Sequence, residues 1–168
     1  IQSRGFYKKI NKLHKNTQIK YLPNFYLKES YQSRFNEKYD KFFKRKFTFV
    51  FAGNLGKAQS LDTIIDAAFL LRNLSDIEFI LIGDGSEKKN LIDKVNKLYL
   101  RNIIFIEQQS SHVINSFLQK ASALIVTLGD EEVLNLTIPS KIQAYLYSAK
   151  PIIASLNGTS ADILRKSG

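Results

Sequence analysis

Short apolar runs alternate with amphipathic stretches along most of this 168-residue chain. The runs read as strands buried on both faces of a sheet; they are FTFVFA (47–52), IEFILI (77–82), NIIFIE (102–107), ALIVTL (123–128) and KPIIAS (150–155). Between them, apolar residues recur every three or four positions, as they do in amphipathic helices. The alternation predicts right-handed β-α-β units, and therefore an α/β fold with a Rossmann-like parallel sheet flanked by helices.

Residues with short polar side chains mark where the helices are expected to begin. The candidate caps or first residues are Ser60, Ser86, Ser110 or Ser111, and Pro139 or Ser140, and a last helix is expected within residues 160–168. The first quarter of the chain is less regular. It predicts a helix over residues 3–16, a short strand over 19–24, and a connector with a helical part over 30–45.

The positive charge of the chain lies almost wholly in this first quarter. Residues 1–46 hold thirteen Lys and Arg against three acids, whereas residues 47–168 hold twelve of each sign, and the net charge is +10. We therefore expect a basic, aromatic entry segment, 1–46, that packs on a Rossmann-like domain, 47–168. The basic surface is either simply solvated or faces an anionic membrane. Nucleic acid is the least favoured partner, and none is expected.

Composition excludes several classes of protein. The chain has no cysteine, which rules out a disulfide scaffold and a thiolate metal site and favours a reducing, cytoplasmic location. It has no apolar run of about 18 residues and no signal-peptide pattern. Because the chain contains no methionine, even at its start, we expect it to be an internal piece of a longer protein.

The loop that follows the first strand has the composition of an anion site. In Gly53-Asn54-Leu55-Gly56-Lys57 the glycines let the backbone approach a ligand, and the following helix start and lysine favour a diphosphate. The alternative is an ordinary glycine turn with a surface lysine. The spacing is neither the dinucleotide fingerprint nor the P-loop.

Two later loops should meet the first one, because the carboxyl ends of parallel strands share one edge of the sheet. Gly83-Asp84-Gly85 is either a tight turn or backbone that passes close to a nucleotide. In the loop 129–141, Thr137, Ser140 and Lys141 lie at a helix start and could meet a phosphate, although a capping motif would explain them equally. The acids at 130–132 are read as solvated, and no metal is expected. No nucleophile–base pair is recognisable.

Four motifs resemble, in order and spacing, the C-terminal, nucleotide-sugar-binding half of family 4 (group 1) glycosyltransferases. They are FVFAGNLGKAQSLDTIIDAA, FILIGDGSEKKNL, NIIFIEQQSSHVINSFLQKASALIVTL and LTIPSKIQAYLYSAKPIIAS, within residues 47–165. They look most like the bacterial fucosamine-transferase-like subgroup of surface-polysaccharide synthesis. Residues 17–25 are similar to the family's entry strand.

The resemblance implies one half of a GT-B enzyme that transfers a hexose-type sugar with retention and without a metal or cofactor. A UDP-sugar donor is favoured over a GDP-sugar. The acceptor, a glycan or a lipid-linked sugar, would bind an N-terminal domain that this sequence lacks, so the catalytic residues are unknown. A final helical region is also expected to be missing. The segment alone is expected to be inactive, and the whole enzyme to be cytoplasmic or peripheral on the inner face of the cell membrane.

The resemblance also implies donor-binding residues, position by position. Gly53, Asn54, Gly56 and Lys57 would form the diphosphate loop, Gly83 and Gly85 would line the nucleotide, Glu107 and Gln108 would meet the base, and Thr137, Ile138, Ser140 and Lys141 would hold the sugar and phosphates. Asn54 stands where many relatives have arginine, so Lys57 is expected to carry more of the charge.

One departure from the family pattern is serious. Ala144 stands where relatives usually have a glutamate that binds the ribose hydroxyls, and losing that charge-assisted pair of hydrogen bonds costs on the order of 2–3 kcal/mol. Donor binding is then weak, or the enzyme has diverged, or the alignment is off by one residue. Two alternatives to a transferase stay open: an epimerase-like GT-B enzyme and a degenerate, non-catalytic binding module.

Overall fold

The computed structural model describes residues 1–26, 37–44 and 46–168, and these residues form a parallel sheet of five strands. The strands are β1 Phe47–Ala52, β2 Ile77–Ile82, β3 Ile103–Ile106, β4 Ala123–Thr127 and β5 Ile152–Ser155. Their order is β3-β2-β1-β4-β5, so the chain builds outward from β1 in one direction and then in the other. The predicted Rossmann-like parallel sheet is confirmed, and each strand lies within its predicted run.

The helices cover both faces of this sheet. They are α1 Tyr7–Leu13, α2 Asp62–Leu70, α3 Lys88–Lys97, α4 Ser111–Lys120, α5 Glu132–Asn135, α6 Lys141–Ser148 and α7 Gly158–Lys166. Short 3₁₀ turns lie at Arg4–Phe6, Glu37–Phe42 and Lys57–Gln59. In the described residues, every helix is too short or too polar to span a membrane.

Alternate side chains of β1 enter two separate cores. Phe51 packs with α2 and α3 on one face, while Val50 and Ala52 pack with α4 and α6 on the other. Val50 and Phe51 are at most 1 % exposed, and full burial of a large apolar side chain contributes roughly 1.5–3 kcal/mol. A continuous apolar run is therefore required at β1, because neither face of the strand meets water.

The predicted helix starts are correct for α4 and α6, and the predicted caps of α2 and α3 are wrong. Ser110 and Ser140 occupy the N-cap positions of α4 and α6, although neither side chain makes a capping hydrogen bond. Ser60 does not cap α2: it ends the Lys57–Gln59 turn in a left-handed conformation, φ 48°. Ser86 does not cap α3 either, because that helix begins at Lys88 after Glu87. Both errors arise because the loop backbone is drawn into contacts between loops before each helix starts.

The first quarter of the chain differs more from its prediction. Within the predicted helix, residues 3–16, the structure has a 3₁₀ turn followed by α1, and α1 buries none of its side chains. The predicted strand at 19–24 is wrong, since these residues join no ladder. The Leu22 N–H instead donates to the Ile1 carbonyl at 2.9 Å. The helical part of the connector is the turn Glu37–Phe42, and residues 27–36 and 45 lie outside the described residues.

Described parts of the entry segment contact the α/β unit at several places, two of which define how its first and last parts pack. Ser3 donates its hydroxyl hydrogen to the Leu136 carbonyl, after the short helix α5. Asp40 accepts a hydrogen bond from Lys120 of α4 at 2.7 Å, and the Tyr39 ring lies 5.1 Å from that of Phe117. The entry segment therefore packs beside the loop that follows β4 and against α4.

The loops after β1 and β2 continue to pair beyond the strands. The Gly53 N–H donates to the Ile82 carbonyl at 2.9 Å, and the Leu55 N–H donates to the Asp84 carbonyl at 2.7 Å. Gly83 has φ +146°, and a Cβ there would overlap the carbonyl oxygen of Gly53. Gly83 is therefore needed for the contact between the two loops, whatever else it touches.

Gly83→Ala should destabilise the chain by about 1–3 kcal/mol, because it combines an unfavourable φ with a backbone clash. Urea unfolding followed by circular dichroism measures the loss. Gly56→Ala is the matched control: Gly56 has φ −107°, and the added methyl would meet the Asn54 side chain rather than backbone. Equal unfolding midpoints for the two variants would contradict the loop packing described here.

Candidate functional site

A cleft of about 800 Å³ opens at the carboxyl ends of β1 and β4, where the strand order reverses. This is the position at which parallel α/β sheets generally bind ligands. Its walls come from the loops after β1, β2, β3 and β4, from α4 and α6, and from the entry segment. The lining residues used below are Phe25, Tyr26, Gly53, Asn54, Gln59, Gly83, Asp84, Gln108, Gln109, Thr137, Ser140, Lys141, Ala144 and Tyr145.

Lys141 supplies the main positive charge of this cleft. Its Nζ donates to the Gln59 side-chain oxygen at 2.6 Å and lies 3.8 Å from the centre of the Phe51 ring. A Cβ on Gly53 would come within 2.9 Å of the same Nζ. Among the described residues no carboxylate pairs with Lys141, so its contacts are an amide, an aromatic ring and glycine backbone. These neighbours hold the ammonium in place without neutralising it.

Burial lowers the pKa of Lys141 to about 7, from an ordinary value of 10.5. An ammonium that is partly removed from water and lacks a counter-ion gives up its proton more readily. An anion that enters beside Nζ would reverse this effect by favouring the charged form. Lys141 is also the first residue of α6, and the N-terminal end of a helix dipole adds partial positive charge at the same place.

Tyr145 fixes α6 against the central strand. Its side chain is 1 % exposed, and its hydroxyl oxygen accepts a hydrogen bond from the Ala52 N–H at 2.8 Å. Burial raises the pKa of this phenol, so the hydroxyl stays protonated. Tyr145 follows Lys141 by one helical turn on the same side of α6, and the hydrogen bond to Ala52 therefore also sets the position of Lys141.

The structure brings most of the sequence-predicted site residues to this cleft. Gly53 and Asn54 line it from the first loop, Gly83 from the second, Gln108 from the third, and Thr137, Ser140 and Lys141 from the fourth. The four loops thus converge as their positions at the strand ends imply. What these residues bind stays a prediction.

The other predicted residues lie outside the walls of the cleft. Gly56 is buried beneath the first loop, and Lys57 is exposed at the start of its 3₁₀ turn. Gly85 lines a separate small surface depression with Lys88. Glu107 forms an ion pair with Lys88 at 2.7 Å. Ile138 is half-buried within the fourth loop.

Ala144 faces the cleft, at the position where the family resemblance implies a glutamate. Gln143, its neighbour, does not line the cleft: its amide nitrogen donates to the Ser140 carbonyl at 2.7 Å when the amide is oriented to satisfy its surroundings. The Gln143 side chain therefore hydrogen-bonds the backbone at the start of its own helix. Consecutive helical residues face different directions, so Gln143 does not share the direction of Ala144. The methyl group of Ala144 leaves this part of the wall without a polar group.

The acidic residues near the cleft are already engaged. Hydrogen bonds from the Gly85 N–H and from Lys88 lower the pKa of Asp84 and keep it ionised. Asp130 accepts from Asn135 and Asn157, which lower its pKa in turn. In the described ranges, no group of three or more His, Asp or Glu side chains converges as a metal site would require.

Several residues of this cleft were not predicted from the sequence, and four of them, Gln59, Tyr145, Phe25 and Tyr26, matter for its geometry. Gln59 and Tyr145 gave no signal of their own, although Tyr145 follows Lys141 at helical spacing. Phe25 and Tyr26 were recognised as aromatic but not as part of the wall. Their place depends on how the entry segment crosses the sheet edge, which local sequence patterns do not encode.

Comparison with known proteins places this geometry in context. A family model described as "Glycosyl transferases group 1" matches residues 32–167. A curated relative, "Probable glycosyltransferase WbjE" from Pseudomonas aeruginosa, is 31 % identical over 115 residues, which are 66 % of this chain and 27 % of the relative. The chain therefore spans about a quarter of that relative's length.

Solved glycosyltransferase structures share the fold. The chain is similar to S. aureus TarM, solved with fondaparinux, alpha-GlcNAc-glycerol and UDP, at a TM-score of 0.68 and 15 % identity, over 96 % of this chain and 30 % of TarM. It is also similar to HepE from Anabaena, solved with UDP and glucose, at a TM-score of 0.62 and 18 % identity, over 76 % of this chain and 34 % of HepE. At these identities the likeness establishes the fold alone.

The family model covers well over half of the chain. This chain belongs to the group 1 glycosyltransferases and carries a Rossmann-like fold.

Proposed function

We propose that this chain is the donor-binding, C-terminal half of a retaining glycosyltransferase that works without a metal ion in bacterial surface-polysaccharide synthesis. The observation that carries the proposal is Lys141 at the carboxyl ends of β1 and β4, an ammonium that has no carboxylate partner among the described residues. The curated relative's description as a probable glycosyltransferase supports the activity. The motifs quoted above support the fucosamine-transferase-like subgroup and a hexosyl-type transfer.

The chemistry proposed for this half is electrostatic. When a sugar leaves a nucleoside diphosphate, negative charge develops on the departing phosphate, and fixed donors aimed at that charge lower the barrier. Here Lys141 supplies such a donor, and the N-terminal end of α6 adds partial positive charge beside it. Gly53 lets the phosphate approach Lys141, because a side chain at this position would come within 2.9 Å of Nζ. The catalytic groups that act on the acceptor belong to the other half of the enzyme.

A UDP-sugar is the proposed donor. TarM and HepE, which share this fold, were both solved with UDP. Gln108 and Gln109 line the cleft after β3 and offer backbone and amide groups to a base. The acceptor, a glycan or a lipid-linked sugar, would be bound by sequence outside this chain, and the 168 residues alone are proposed to be inactive.

The proposed location is the cytoplasm, peripherally on the inner face of the cell membrane. The support is the excess of basic residues within 1–46, together with exposed apolar side chains such as Leu13 and Leu22 in the same segment, at 71 % and 70 % exposure. Anionic lipids attract such basic segments. A glycan acceptor carried on a lipid would be presented at the same surface.

A degenerate binding module is the second candidate, and Ala144 favours it. The resemblance implies a ribose-binding glutamate at this position, and the cleft has a methyl group there instead.

Calorimetric titration with UDP, GDP and their sugars separates the two candidates. Binding tighter than millimolar supports donor binding. If no nucleotide reaches that affinity, the proposal fails and the degenerate module is supported. An epimerase-like enzyme would bind the donor but convert it without any acceptor, which an assay of the full-length protein detects.

Lys141→Met should weaken UDP binding at least tenfold, because it removes the ammonium from the diphosphate position while keeping the length of the side chain. Lys57→Met is the matched control and should change the affinity less than threefold, since Lys57 is exposed outside the cleft. Both Kd values can be measured by calorimetry at pH 7. A larger loss for Lys57→Met than for Lys141→Met would contradict this assignment.

UDP affinity should fall as the pH rises from 7 to 9, by up to about tenfold per pH unit. The free site has Lys141 with a pKa of about 7, whereas a bound diphosphate raises that pKa, so binding takes up a proton above pH 7. Calorimetry in buffers of different ionisation enthalpy counts this proton. Affinity that is independent of pH over this range, or proton release on binding, would show that Lys141 does not face the diphosphate.

A further inference from the structure

The end of the entry segment forms one wall of the cleft. Phe25 and Tyr26 both line it, although they are far in sequence from the loops that form the other walls. The Phe25 side chain is 71 % exposed. An exposed ring on the wall of the cleft contributes little to stability through burial, but it offers a flat apolar face on which a ligand could stack.

Tyr26 is held in place by an aromatic contact with α6. Its ring stacks on that of Tyr147, with centroids 4.5 Å apart and planes at 29°. Among the described residues its hydroxyl has no hydrogen-bond partner, unlike that of Tyr145, which is bonded to Ala52. Tyr26 therefore brings a positioned ring with an available hydroxyl to the cleft.

The stacked rings of Tyr26 and Tyr147 lie beyond Lys141 in the direction of α6. Tyr147 follows Lys141 by six residues, which corresponds to about 9 Å along the helix axis. Ala144 lies between them and faces the cleft with a methyl group. A ligand with its phosphate beside Lys141 and its body along α6 would pass Ala144 and reach Tyr26.

We propose that Phe25 and Tyr26 form the nucleoside-binding wall of this cleft: the Phe25 ring covers a face of the base, and the Tyr26 hydroxyl hydrogen-bonds the ribose. This inference rests on the proposed function, because it assumes that a nucleoside diphosphate occupies the cleft. It assigns to the entry segment a polar contact that the Ala144 methyl group cannot make. It also makes the entry segment part of the donor site rather than a tether to another domain.

The test compares UDP with inorganic pyrophosphate, which has the charge of the ligand but no nucleoside. Phe25→Ala should weaken UDP binding roughly fivefold or more, the range expected for a lost base–aromatic stack. Tyr26→Phe should weaken it about threefold through the lost hydroxyl. Both variants should leave pyrophosphate affinity unchanged, whereas Lys141→Met should weaken both ligands. Tyr99→Ala removes another exposed aromatic, 88 % exposed and outside the cleft, and is the matched control.

The outcomes separate this inference from the proposed function. If UDP binds in a Lys141-dependent way but Phe25→Ala and Tyr26→Phe have no effect, the nucleoside wall is refuted and donor binding stands. If the two variants weaken pyrophosphate as much as UDP, they disturb the whole cleft and the assignment also fails. Tighter UDP binding by Phe25→Ala would mean that the ring obstructs the site. Failure of the unaltered chain to bind UDP overturns both proposals. Circular dichroism confirms that each variant is folded.

Discussion

The organisation of the cleft depends on one ammonium group, that of Lys141, which has no counter-ion in the part of the chain that the structure describes. Lys141 reaches from the start of α6 across the end of β1, where it meets the Gln59 amide oxygen and the face of Phe51. These contacts orient the charge but do not neutralise it, and burial lowers the pKa of the group to about 7. A charge kept in this state favours an anionic ligand, because the ligand supplies the missing partner.

Much of the surrounding structure serves to place that group. The hydrogen bond between Tyr145 and the backbone of Ala52 fixes α6 on the central strand. The Thr127 hydroxyl donates to the Gln59 carbonyl at 2.5 Å, so the first loop is tied to the end of β4. The absence of a side chain at Gly53 leaves room for the lysine. Strand order, loop packing and one buried phenol thus act together on the position of a single side chain.

The sequence predicted the sheet well because its strands are buried on both faces and must be continuously apolar. The starts of the helices were harder to predict. Ser60 is a residue type that often caps a helix, but here it ends a 3₁₀ turn, because the loop folds onto its neighbours. The strand expected at 19–24 has apolar residues but no adjacent sheet edge to join. In both cases tertiary contacts outweighed the local signal.

The site was predictable as a set of loops but not as a set of contacts. Lys57 and Lys141 each lie at the start of a helical turn, after a loop that follows a strand. Nothing in the sequence around them shows which one faces the cleft. Packing turns one into the cleft and leaves the other exposed. A ¹³C NMR titration of the Lys141 side chain, with and without UDP, tests whether this ammonium binds the anionic part of the ligand. We expect a pKa near 7 in the free chain and a rise of at least one unit with UDP. A pKa near 10.5 that does not respond to UDP would contradict this expectation.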